Sequence, residues 1–211
     1  MARIIAVLAF AIPFGAHADF VFVDYWGVVS DVSRTICVCD PTQDNLPGDL
    51  EFTGYKVGDS IKGRLKIDLD LAPPDSRTLD PSYGLYVAPA DTPGFISGNG
   101  RPLINNVHTD MVSVTDVVPF GDRPTDSYGI EDNWSSPNGS GQLALLVYTH
   151  RPDVELTSGE GIAQTIDARP TDDVGLFGYL GKVVKTAVGS VAVGVSLALS
   201  RVRVSPGRCH A

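Results

Sequence analysis

Between Val57 and Asp70 the chain reads VGDSIKGRLKIDLD, and from Ile61 onward the odd positions hold Ile, Gly, Leu, Ile and Leu while every even position is charged. A repeat of two residues fits a strand, whose successive side chains point to opposite faces; a helix would scatter the same set round its circumference. The stretch predicts a strand with one apolar and one wet face. Gly58 before Asp59 suits a turn with positive φ in which Asp59 caps its own backbone, and Gly63 on the inward face leaves room for a large neighbour or a bulge.

The same period recurs in Asp19–Val29 (DFVFVDYWGVV), Tyr83–Ala88, Met111–Val118, Leu143–Thr149 and Gly161–Ala168, and no long stretch has the period of an amphipathic helix. Gly, Pro and Asp clusters separate these runs, with 22 Gly and 15 Pro in the chain. That punctuation predicts an all-β fold, an antiparallel sandwich of jelly-roll or Greek-key type, rather than βα units. Near the C-terminus, Val191, Val193, Val195, Leu197 and Leu199 alternate with small residues between Lys185 and Arg201. The run is shorter than the roughly 20 residues a membrane helix needs, so a strand is predicted there, with no stable membrane insertion.

Residues 1–18, MARIIAVLAFAIPFGAHA, combine a basic start at Arg3, an apolar run from Ile4 to Phe14 and the small-x-small end Ala16-His17-Ala18. This is the pattern of a secretory leader cleaved after Ala18. It predicts a secreted or extracellular protein, periplasmic if exported no further, with one β domain over residues 19–204 and a tail over 205–211. The formal net charge is −9, and the densest basic groups are Lys62, Arg64 and Lys66 and the later Arg201, Arg203 and Arg208. Nucleic acid is not an expected partner on that balance, because phosphate contacts need many clustered cations.

Two segments resemble a known family. Gly27-Val28-Val29-Ser30-Asp31-Val32 is similar to a Gly-x-Val-x-x-Val-like strand end, and Val57-Gly58-Asp59-Ser60-Ile61-Lys62-Gly63-Arg64-Leu65-Lys66-Ile67-Asp68 resembles Val-Gly-Asp-x-Val-x-Gly-x-Phe-x-Tyr-Asp. Both occur, in this order and spacing, in exported bacterial proteins of the PEP-CTERM type, with a looser likeness in VSLALSRVRV. The resemblance implies a secreted β-sandwich associated with cell surfaces and extracellular polysaccharide. The final SPGRCHA stands where the family's Pro-Glu-Pro sorting signal would follow, so surface anchoring by that route is not implied.

Residues that would carry catalysis are sparse. His108, His150 and His210 have no His-x-x-x-His spacing, and neither a Gly-x-Ser-x-Gly elbow nor a phosphate-cradling glycine loop occurs. A non-catalytic protein is expected, with a secreted hydrolase or a purely structural module as the alternatives. Cys37, Cys39 and Cys209 are disulfide candidates, Cys37 with Cys39 or either with Cys209. A zinc set completed by His210 is disfavoured by the adjacency of Cys209 and His210 and by an oxidising compartment.

No cofactor is expected apart from calcium, whose oxygen-rich coordination tolerates irregular loops. Its candidate ligands are Asp68 and Asp70 after the first charged strand and Asp126 and Asp132 within GDRPTDSYGIEDN; a solvated acidic loop is the plainer reading. The aperiodic stretch Pro119–Gln142 predicts a long surface loop, where Tyr128 and Trp134 among Asp and Asn have the composition of a sugar platform. Trp134 plugging the edge of the sandwich is the alternative. Lys62, Arg64 and Lys66 form either a solubilising face with cross-strand ion pairs or a site for an acidic polysaccharide.

Overall fold

A computed structural model describes residues 20–38, 55–77, 82–88, 94–98, 107–108, 110–120, 123–136, 139–151, 153–159, 161–186 and 189–207. Residues 1–18, where a leader is expected, and Cys39, Cys209 and His210 lie outside these residues. The elements are β1 (Phe20–Val38), β2 (Ser60–Asp68), β3 (Tyr83–Val87), β4 (Ile96–Gly98), β5 (Val107–His108), β6 (Met111–Phe120), β7 (Arg123–Ser136), β8 (Gly139–Thr149), β9 (Ile166–Ala168), β10 (Val174–Thr186) and β11 (Gly189–Gly207). No helix occurs among the described residues, and none is long and apolar enough to cross a membrane.

All pairings are antiparallel, in the order β3-β6-β7-β8-β10-β11-β1-β2-β4, with β5 beside β7 and β9 beside β11. The fold is a curled, open half-barrel with nine strands in its main path. The all-antiparallel expectation holds, but the order is that of a meander with the first strand set beside the last, not of two sheets in jelly-roll sequence. The two end strands are tied through one residue: Ile96 N donates to Asp110 Oδ2 at 2.7 Å, and Ala88 N to the Asp110 carbonyl at 2.9 Å.

The core lies within the curl. Val21, Val23 and Tyr25 of β1, Leu65 and Ile67 of β2, Val112 and Val114 of β6, and Leu143, Leu145 and Val147 of β8 are buried at alternate positions, as period two requires. On β11 the series Val191, Val193, Val195, Leu197 and Leu199 is buried too, as its alternation predicts. Gly58 has φ +93°, Lys56 N donates to Asp59 Oδ2 at 2.7 Å, and Gly63 stands opposite buried Tyr25. Each matches the role its sequence position suggests.

Pro119–Gln142 is not a loop: it ends β6, forms β7 and opens β8. The segment's inward positions are Asp126, Tyr128, Ile130 and Asp132, all buried, and two carboxylates in four places hide the apolar period. The connection after β8 supplies the real loop. Asp126 accepts hydrogen bonds from Leu156 N (2.7 Å), Thr157 N (3.2 Å) and Thr157 Oγ1 (2.6 Å), and Tyr128 Oη donates to the Ile162 carbonyl at 3.0 Å.

Candidate functional site

The even residues of β1 and β2 and the odd residues at the end of β11 share the outer face of the sheet. The register sets Lys66, Phe22 and Ser205 in one row, Arg64, Asp24 and Arg203 in the next, and Lys62, Trp26 and Arg201 in a third, with Asp167 of β9 beyond Arg203. The charged face of β2 thus meets three aromatic residues of β1 and two cations of β11.

Within this face most cations are fixed. Arg64 binds Asp24 bidentately, Nε to Oδ1 at 2.6 Å and Nη2 to Oδ2 at 2.9 Å, and its guanidinium lies 5.2 Å from the centre of the Phe22 ring. Lys66 Nζ sits 3.6 Å from the centre of the Phe20 ring and 3.9 Å from Asp68. Arg201 binds Asp167 bidentately at 2.7 and 2.5 Å and lies 5.3 Å from the Trp26 ring centre. These are the planar fork contacts and ring-face contacts for which arginine is suited. Hydrogen bonding to Asp24 raises the Arg64 pKa, and hydrogen bonding to Arg201 lowers that of Asp167.

Lys62 and Arg203 are different. Both are exposed, and neither has a carboxylate within ion-pair distance among the described residues. From ordinary strand spacing and rise their Cα atoms are about 12 Å apart, diagonally across β1. Arg203 stands between two carboxylates, Asp24 and Asp167, that are each committed to another arginine.

Beside Trp26 the face is opened by a bulge. The register of β1 against β11 slips between Trp26 and Gly27, leaving Ser200 as the extra residue, so Ser200 and Arg201 both face outward. Gly27 is required there, since a Cβ would lie 2.6 Å from the Ala198 carbonyl oxygen. The result is a groove of about 530 Å³ lined by Trp26, Val28, Ser60, Lys62, Ala198 and Ser200 among others.

The other sites anticipated from sequence are not assembled this way. Tyr128 is 1% exposed, so it is a core residue and not a sugar platform. Trp134 is on β7 opposite His108 and Gly141, and Cys37 is on β1 opposite Ser190; their side chains are outside the described set. Asp126 and Asp132 lie six positions apart on one strand, about 20 Å, and cannot share an ion. Asp126 clamps the loop after β8, and Asp68 Oδ1 accepts from Asp70 N at 3.2 Å, the plain turn role. Among the described residues no three His, Cys, Asp or Glu side chains gather. Phe20, Phe22 and Trp26 are the residues missed. Their signal was the even series of Asp19–Val29, apolar on both faces, but the cations opposite them come from strands over 30 and over 170 positions away.

No family model, curated protein or solved structure matches this chain.

Proposed function

We propose that the protein is an exported, non-catalytic binding module that holds an acidic extracellular polysaccharide on the outer face of β2, β1, β11 and β9. One observation carries the reading: a chain of net charge −9 concentrates Lys62, Arg64, Lys66, Arg201 and Arg203 around Phe20, Phe22 and Trp26. Arg64 and Arg201 are committed to ion pairs beside the aromatic rings, and Lys62 and Arg203, outside ion-pair distance of a carboxylate among the described residues, remain for a ligand. Pre-organised aromatic and cationic groups of this kind bind without large ordering losses. The leader-like pattern of residues 1–18 and the PEP-CTERM-like motifs are what support the compartment and the class of polymer in this reading.

Single-stranded nucleic acid is the competing polyanion for any basic, aromatic sheet face. Here only two cations of the face lie outside ion pairs among the described residues, and two cations neutralise few phosphates. A polymer of lower charge density fits better.

The test is a binding screen of the full chain against uronic-acid polymers, their neutral counterparts and single-stranded oligonucleotides, at two salt concentrations, beside a hydrolase panel. Uronic-acid polymers should bind, with affinity lowered by salt and by the pair Lys62→Gln and Arg203→Gln. Absence of binding, or turnover of any panel substrate, would falsify the reading.

A further inference from the structure

We infer that the groove at the β1/β11 bulge is a subsite for one carboxylate-bearing pyranose unit, in which Trp26 supplies the ring contact and Lys62 reads the charge. This rests on the polysaccharide reading above and says where along the face a sugar is read.

The bulge has a local consequence that regular pairing would not give. Ser200 and Arg201 occupy the outer side together; Arg201 is held toward β9 by its bidentate bond to Asp167, and its guanidinium still lies 5.3 Å from the centre of the Trp26 ring. One cation therefore flanks the indole and is itself spent. Beside it Lys62 is exposed and outside any ion pair among the described residues, so this side of the groove carries a positive charge that none of them balances.

The floor is apolar and shallow. Val28 is 42% exposed, Ala198 is exposed, and Gly27 has no side chain, while Ser60 and Ser200 put hydroxyls at the rim. Ser200 Oγ donates to the Trp26 carbonyl at 3.3 Å, which leaves its lone pairs for an incoming hydroxyl. A pyranose has an apolar C–H face and a polar rim, and a uronic unit adds one carboxylate. Those features answer the floor, the rim hydroxyls and Lys62 in turn. The volume of about 530 Å³ falls within the range of small-molecule sites.

Arg203, about 12 Å from Lys62 by strand geometry, meets a second charge further along the chain.

The experiment titrates the full chain with a uronic-acid tetrasaccharide, the same tetrasaccharide with its carboxyls reduced, a long uronic polymer and oligothymidylate. The variants are Lys62→Gln, at an exposed position, and Val28→Phe, which fills the groove. Each variant, and the reduction of the carboxyls, should raise the tetrasaccharide Kd by about tenfold, the scale of one charge-assisted contact. Amide shifts should concentrate at Gly27, Val28, Lys62 and Ser200.

If the polymer binds wild type while neither variant nor the shifts implicate the groove, the subsite is wrong and the face reading stands. If wild type binds no uronic polymer, the face reading fails and the subsite with it. Oligothymidylate binding as tightly at the same residues overturns the carbohydrate assignment. Should Val28→Phe fail to fold, Lys62→Gln and the shift map still decide.

Discussion

Replacing Asp126 with alanine tests a buried carboxylate that accepts three hydrogen bonds from one loop. Its side chain is 3% exposed and accepts from two backbone amides and one hydroxyl of the loop after β8. Thr157 Oγ1 also lies 3.0 Å from the Thr115 carbonyl, but a hydroxyl has one proton, and the shorter contact to a charged oxygen claims it. Three hydrogen bonds to a charged acceptor are each worth about 1.5–3 kcal/mol net. The loop can open and let water reach the freed amides, so the loss is capped near the free energy of docking the loop. We expect Asp126→Ala to lower stability by about 3–5 kcal/mol, a drop in Tm of about 10 °C for a domain of this size. Asp126→Asn keeps the shape and one acceptor and should recover part of it. Urea unfolding gives the global figure, and hydrogen exchange at Leu156 and Thr157 reports the loop alone. Unchanged exchange at those two amides, with Tm within about 1 °C of wild type, would refute the clamp. So would a rise in wild-type Tm with millimolar calcium that Asp126→Asn removes, because both oxygens would then be open to a cation.

Tyr128→Phe removes the hydroxyl that donates to the Ile162 carbonyl and should destabilise by about 1 kcal/mol in urea unfolding, with uronic-polymer binding unchanged. Burial first, and Tyr86 second, raise the Tyr128 pKa well above the ordinary phenol value. The folded state therefore keeps a proton that the unfolded state releases, and stability from this group is full below about pH 10 and declines above it. Tyr128→Phe should flatten that alkaline decline, and an unaltered pH profile would show that Tyr128 does not cause it. Gly27→Ala forces a Cβ to within 2.6 Å of the Ala198 carbonyl, so the bulge must shift; a loss of about 1–3 kcal/mol is expected, seen as a lower urea midpoint. A midpoint equal to wild type would mean that the bulge does not need glycine.

What could be read from the sequence follows from where the period of two was clean. β2 and β11 were visible because charged or small residues alternate with large apolar ones on every turn of the pleat. β7 was not, because Asp126 and Asp132 occupy inward positions and break the apolar series. β10 escaped for the opposite reason: Phe177 and Tyr179 are apolar on the outer side while Gly178 takes an inward place, so neither face stands out. Lys62, Arg64 and Lys66 were legible as a charged face. Their aromatic counterparts were not, since the pairing of β1 with β2 spans an insert and the pairing with β11 spans almost the whole chain. Such juxtapositions are tertiary facts that no local window contains.

The pairing of β1 with β11 also governs when this chain can fold. β1 is the first of the described strands in the sequence and pairs along its length with β11, the last of them, Phe20 opposite Gly207 and Val38 opposite Gly189. Until residues 189–207 have been synthesised, one long edge of β1 has no ladder, and neither half of the sheet can close over the core. Contacts of such sequence separation slow folding and leave strand edges open to other chains. Completion of the sheet is therefore late relative to the other strands, since β11 follows every other described strand in the sequence. Until then the nascent chain carries the apolar side of β1 without a closed core to bury it.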